Sequence, residues 1–233
     1  MLGRRLTGRL SVSVSPTFAI RWLLPRLQEF NARHPHIEVS VDATHRQIEF
    51  PRDGIDLAIR LGCGNWPELY ATCLIRKHLV PVCAPTLAST LHTPQDLANA
   101  TQLHVVDLTD DWEVWSDLAG VSLLLPSRRL RFDTIHLAIE VAAGGLGVAI
   151  GRLPLIDTDV AAGRVVPLLG PPVKCATGYW LVAGRESLRR PEVAAFNDWI
   201  RDELGKKIVP IRTMLPAAPK TIAVDKHTLP AHV

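Results

Sequence analysis

Leu10, Val12 and Val14 alternate with Ser11, Ser13 and Ser15, the two-residue period of a strand with one face in a core. Pro16 and Thr17 intervene, and Ile20, Leu23, Leu24, Leu27 and Phe30 then recur at helical spacing. Those five positions predict the core face of the first helix. Trp22 and Glu29 fall on another face, with Arg26 nearby, which leaves a tryptophan exposed. The helix ends at "NARHP", where His34 precedes Pro35 and is pushed out of the helical region. Alternation returns in "HIEVSVD" through Ile37, Val39 and Val41. The chain therefore begins strand, helix, strand, the unit of a parallel sheet.

"DGIDLAIRLGCGNWP" predicts a further strand over 55–60 that closes on Gly62 and Gly64. "ELYATCLIRKHLVPVCAPTLAS" predicts two extended segments, with Pro81 at an edge or irregular position. The pattern then restarts. In "TPQDLANA", Thr93 is placed to cap a helix that Pro94 opens. "QLHVVDL" reads as a strand, and "DDWEVWSDLAG" as a short helix stopped by Gly120. A helix over 134–143 leads into a buried strand over 148–150, and "GRVVPL" and "TGYWLVAG" supply two more strands. Val193, Phe196, Trp199, Ile200 and Leu204 stripe the last helix, and residues 206–233 read as a tail. Each half starts a helix at a hydroxyl-bearing turn, Ser15–Pro16–Thr17 in one and Asp133–Thr134 in the other. Two α/β lobes with a cleft between them are expected.

Composition narrows the function classes. The 233 residues are 47% hydrophobic and 21% charged, which suits a globular protein with a substantial core. No apolar run reaches the roughly 18–20 residues of a membrane span, and "MLGRRLTGRL" lacks the apolar centre of a signal peptide. A cytoplasmic protein without a membrane partner is expected. The net charge of +3 is too small to imply nucleic-acid binding by field alone. Cys63, Cys73, Cys83 and Cys175 show no C-x-x-C pair, so reduced thiols are expected and neither a metal nor a cofactor is. "AAGGLGVAIG" does not match G-x-G-x-x-G and follows a helix, the reverse of a dinucleotide site. No nucleophile, base and orienting acid assemble from the sequence.

Several strings closely resemble the effector-binding domain of LysR-type transcriptional regulators, most of all the branch containing the glycine-cleavage and β-lactamase-operon regulators. They are "LSVSVSPTFAIRWLLPRLQEFNARHPHIEVSV", "DGIDLAIRLGCGNWP", "PVCAPTLAS", "TPQDLA", "AIEVAAGGLGVAIG" and "FNDWI", in family order over roughly residues 8–204. The resemblance implies a periplasmic-binding-protein-like type 2 fold, two Rossmann-like lobes joined by two crossover strands. Residues 8–86 plus 186–205 would form lobe I and residues 87–185 lobe II. It implies a small-molecule effector in the cleft, no enzymatic activity, and a homodimer or higher homo-oligomer. In such a dimer the first helix, with Trp22, Arg26 and Glu29, would pack on the second lobe's helix of the other copy. DNA would be contacted only through a winged helix-turn-helix. Nine residues before Leu10 are too few for one, so the chain is expected to be part of a longer product or the product of a truncated gene.

The turn at Ser15–Pro16–Thr17 suits ligand binding on physical grounds as well. A helix N-terminus offers unpaired N–H donors and the positive end of the helix dipole to a carboxylate or other acceptor. Ser15 can cap, Pro16 fits the first turn, and Thr17 adds a hydroxyl beside the free donors. Thr134 holds the matching place across the cleft. Arg60 and the glycines Gly62 and Gly64 end a strand at the same rim, where glycine permits close backbone approach. The resemblance adds Tyr179, whose phenol would reach the pocket, and Glu49 at its acidic edge. Two other classes remain open at this point. A transporter's solute-binding protein shares the fold but needs export. An enzyme on this scaffold, such as porphobilinogen deaminase, needs a catalytic constellation.

Overall fold

The N-terminal alternation forms β1 (Gly8–Val14), with Leu10, Val12 and Val14 buried. The computed structural model describes residues 8–50, 52–106 and 111–206, so the expected tail and the end of "QLHVVDL" lie outside the described residues. The helical run after β1 has three parts: α1 (Pro16–Phe18), a π-helical turn over Ala19–Leu23, and α2 (Leu24–Arg33). There follow β2 (Ile37–Ala43), β3 (Leu57–Gly62), β4 (Tyr70–Cys83), α3 (Pro85–Ala88) and a 3₁₀ turn over Pro94–Ala98. The remaining described elements are β5 (Thr101–Val105), α4 (Asp111–Ala119), β6 (Arg128–Phe132), α5 (Ile135–Ala143), β7 (Val148–Leu153), α6 (Asp157–Ala161), β8 (Val166–Pro167), β9 (Val173–Ala183), a 3₁₀ turn over Ser187–Arg189 and α7 (Pro191–Lys206).

Among the described residues the strands form one sheet of order β2-β1-β3-β9-β4-β7-β5-β6, with β8 on β4. β1 pairs in parallel with β2 and β3, and β5 in parallel with β6 and β7. The antiparallel strands β4 and β9 join these two parallel trios. Residues 70–76 of β4 and 178–183 of β9 run beside β3's side of the sheet, whereas 78–82 of β4 pair with β7. The chain thus passes between lobes inside β4 and β9. One core gathers the first helix, β1, β3, β9 and α7; two others cover the faces of the second trio.

Sequence expectation and structure differ at three places. The segment expected to make two strands is the single fourteen-residue β4. Pro81 is buried within it, between the last β9 partner (Leu79 with Val173) and the first β8 partner (Val82 with Pro167). A residue without an N–H is tolerated where the neighbouring strand changes. The helix expected after Thr93 is only the 3₁₀ turn, although its capping box with Asp96 is formed.

The third difference shifts the core face of the first helix: Leu23 and Phe30 are buried and Leu27 packs on the core as expected, but Ile20 and Leu24 turn outward and Trp22 inward. In the π turn the Leu24 N–H bonds the Ala19 carbonyl, five residues back. One extra residue rotates everything after it by about 100° relative to a continuous α-helix. Pro25 follows, where a missing N–H would in any case break the α-type ladder. Phe18, Ala19, Trp22 and Leu23, before and within the turn, are buried, while Ile20 and Leu24 are 41% and 48% exposed. Trp22 packs on Phe18 (ring centroids 5.1 Å apart) and on Trp199 of α7 (6.4 Å), beneath the Arg26 guanidinium. The expectation of an exposed Trp22 is corrected: it belongs to its own lobe's core. Glu29 remains exposed and pairs with Arg33 one turn on.

The lobes also touch through side chains. Arg21, in the π turn, bonds Asp159 of α6 and Glu140 of α5 (3.0 Å), and Arg164 bonds the same two carboxylates. Leu155, just after β7, is buried in lobe I's core. Beside it, burial pushes the Asp157 carboxyl up to about 6, against the pull of Arg26. The unfolded chain ionises this group at its ordinary lower value, so the folded state holds the proton more tightly across the interval between the two. Stability from this group therefore declines as pH rises through that interval, and the penalty is absent below it. Asp157 is only partly buried, so solvent screening limits the penalty to about 1 kcal/mol. Asp157→Asn is expected to gain roughly that much over wild type in urea unfolding at about pH 8 and little at about pH 4.

Candidate functional site

A cavity of about 640 Å³ opens where the two trios of strands meet. Lobe I supplies Ser15, Thr17, His45, Arg60, Leu61, Gly62 and Cys63; lobe II supplies Val106, Ile135 and Arg152; β9 supplies Thr177 and Tyr179. Each wall follows from the sheet's topology, because parallel strands end together and their helices begin there.

The turn after β1 forms the first wall. The Ser15 N–H donates to the Ile59 carbonyl (3.1 Å), which ties the turn to β3. Ser15 occupies the N-cap position but makes no side-chain cap bond. Its hydroxyl is buried and unpaired, and Ser15 is only 8% exposed. Thr17, 4% exposed, stands beside it. A buried hydroxyl without a partner carries a desolvation cost that a ligand's polar group would relieve.

Thr134 behaves differently. Its Oγ1 accepts the Leu137 N–H (3.3 Å) and so caps α5, while its neighbour Ile135 faces the cavity. On β3, Arg60 donates to the Ser13 hydroxyl (2.7 Å) and the Arg46 carbonyl (3.1 Å), and burial lowers the affinity of its guanidinium for a proton. Gly62 and Gly64 make room for indoles. A Cβ on Gly62 would lie 2.8 Å from Trp66, and one on Gly64 (φ +92°) 2.4 Å from Trp180. The Gly62 carbonyl accepts the Trp180 indole N–H (3.0 Å). Of the residues singled out from sequence, Ser15, Thr17, Arg60, Gly62 and Tyr179 come together around the cavity. Pro16, Glu49, Gly64 and Thr134 are not among its described lining. Glu49 is exposed and pairs with Arg52 (3.2 Å).

Behind the opposite wall lies a charged network that sequence reasoning missed. Asp111, at the start of α4, accepts from Lys77 of β4 (2.7 Å) and from Arg152 Nε of β7 (2.6 Å). All three are nearly inaccessible, at 7%, 1% and 3% exposure. Burial pushes the Asp111 carboxyl upward, but Arg152 and Lys77 outweigh it and hold it below the usual carboxylate range. Burial would likewise lower Arg152, yet Asp111 and the hydrogen-bonded Tyr179 hold it above its ordinary value. Tyr179 is 1% exposed, its ring tilted against Phe18 with centroids 5.1 Å apart. The available sequence signal was an arginine inside an otherwise apolar buried strand, "VAIGRL". Among the described residues no cluster of metal-ligating side chains occurs, and no helix is long and apolar enough to cross a membrane.

A two-lobed sheet with crossover strands and an interlobe cavity whose largely apolar wall carries a few polar groups suits an effector-binding domain, and the comparisons agree. Residues 3–205 match the family model of the LysR substrate binding domain, so the chain belongs to that family. It is 34% identical over 200 residues to the glycine cleavage system transcriptional activator of Escherichia coli, covering 84% of this chain and 65% of that protein. It is 32% identical to the HTH-type transcriptional activator AmpR of Pseudomonas aeruginosa, over 82% of this chain and 64% of that protein. The chain thus spans somewhat less than two thirds of these curated relatives. Among solved structures, the AmpR effector binding domain from Citrobacter freundii superposes with a TM-score of 0.76 at 28% identity, over 86% of this chain and 100% of that one. The effector domain of AmpR of Pseudomonas aeruginosa gives 0.73 at 31% identity, over 85% and 96%. The fold is the periplasmic-binding-protein-like type 2 fold.

Proposed function

We propose that the chain is the ligand-sensing module of a LysR-type transcriptional regulator, which binds a small polar or anionic metabolite in the interlobe cleft. Family membership supports a regulator over a transporter's solute-binding protein. The observation that carries the binding site is the buried, unpaired Ser15 hydroxyl at a helix start in the cavity wall. In this role the module is cytoplasmic, catalyses nothing and needs no cofactor. It reaches DNA only through a winged helix-turn-helix of the full regulator. Thr17→Val keeps the shape of the wall and removes a hydroxyl. A hydroxyl contact is worth about 0.5–1.5 kcal/mol to a neutral group and roughly 1.5–3 to a charged one, hence about threefold to a hundredfold in affinity. A metabolite found by thermal-shift screening is expected to titrate that much more weakly against Thr17→Val in calorimetry, with the unliganded melting temperature nearly unmoved. Equal affinities return Thr17 to a helix-start role.

The module works as a homodimer in this proposal. The exposed apolar side chains Ile20 and Leu24 on the first helix and Leu137 on α5 suit a two-fold contact between copies, with Arg26 and Glu29 at its border. Replacing Ile20 and Leu24 together by serine is expected to shift sedimentation from dimer to monomer while the monomer stays folded, its melting temperature falling only by what association contributed. A wild-type monomer at tens of micromolar contradicts the dimer.

A further inference from the structure

We propose that the ligand of the cleft is an anion, and that Arg152 recognises its negatively charged group while Asp111 and Lys77 hold the guanidinium in position. This rests on the cleft being the ligand site, as proposed above, and narrows the ligand to one chemical class. The described lining contains Arg60, Arg152 and His45 and no carboxylate. Its two arginines come from opposite lobes, Arg60 from β3 and Arg152 from β7. A neutral ligand would gain less from that choice than an anion, whose bonds to a guanidinium are charge-assisted. A carboxylate matches the planar fork of a guanidinium, which binds it through parallel charge-assisted bonds.

The setting of Arg152 favours recognition over packing alone. It is 3% exposed and stands on a strand whose other residues are all buried, yet it forms part of a cavity wall. A buried ion pair is seldom worth more than apolar residues of similar volume, so stability by itself does not call for one here. What the network does supply is placement. The two oxygens of Asp111 are divided between Lys77 Nζ (2.7 Å) and Arg152 Nε (2.6 Å), which fixes both cations relative to α4. The Tyr179 hydroxyl adds a bond to Arg152 from the crossover strand. A side chain held from α4 and β9, by a carboxylate that Lys77 of β4 fixes in turn, is pre-organised for one geometry of its partner.

The test compares matched pairs of small carboxylates and their primary amides, acetate with acetamide, succinate with succinamide, N-acetylglycine with its amide, by thermal shift and calorimetry. Wild type is expected to bind the carboxylate of a responding pair at least about tenfold more tightly than the amide. Arg152→Gln is expected to erase that difference, and Arg152→Lys to restore part of it by keeping the charge without the fork. The wild-type contrast stands even if Arg152→Gln does not fold. Amides that bind as well as acids, with both weakened by Thr17→Val, overturn the anion proposal and leave the cleft as the site. A preference for acids that survives in Arg152→Gln overturns the role of Arg152. No response to either member of any pair counts against the cleft itself.

Discussion

Asp111→Ala is expected to destabilise the protein by about 3–5 kcal/mol, because it strands two buried cations without their shared carboxylate. Lys77 and Arg152 are each almost wholly buried, and only the cavity edge of Arg152 is open to solvent, so water replaces little of what Asp111 supplies. For a chain of this size that loss corresponds to a fall in melting temperature of roughly 6–20 °C. Urea unfolding gives the free energy directly. Asp111→Asn, which keeps the shape and loses the charge, should fall between wild type and alanine. A variant with wild-type stability would mean that the network is solvated and the wall it supports is soft.

Trp22→Ala is expected to cost a similar amount, about 3–5 kcal/mol, through the cavity left among Phe18, Phe30 and Trp199. Exposed Ile20 and Leu24 lie on the same helix, and changing either to serine should stay within about 0.5 kcal/mol of wild type in the monomer. The two outcomes together decide the phase of the helix. A first helix with Ile20 and Leu24 on its core face would invert them, with Ile20 and Leu24 costly and Trp22 cheap. Thermal or urea unfolding of these three variants settles which face is buried.

Much of the architecture was readable because it depends on local periods. The alternation at Leu10, Val12 and Val14 became β1, and the apolar stripe of the last helix became the buried face of α7. Gly120, at φ +66°, ends α4 where a left-handed residue was expected. The phase of the first helix was not readable. Five apolar residues fit the helical period and three of them, Leu23, Leu27 and Phe30, reach the core, but a π turn that no composition rule marks sits where Trp22 faces inward and Ile20 and Leu24 outward. β4 was divided in two because the change of neighbours at Pro81 looks, in sequence, like a break.

The candidate site was legible only where it is local. Ser15 and Thr17 announce themselves by a strand, a proline and a helix in sequence order. The charged network does not, since Lys77 and Asp111 are 34 residues apart and Asp111 and Arg152 are 41 apart. No period links such positions; the sheet order brings them together. Thr134 shows the converse, for its hydroxyl satisfies an N–H of its own helix as the local rule demands, at Leu137. Ser15 leaves that bond unmade.

The most direct test of the sensing role is native mass spectrometry of the protein after incubation with the low-molecular-weight fraction of a bacterial extract. Wild type is expected to retain one small molecule per chain, and Thr17→Val to retain much less at the same protein concentration. A protein that captures nothing, or a captured molecule held equally by wild type and Thr17→Val, would contradict a sensor that reads its ligand at this helix start.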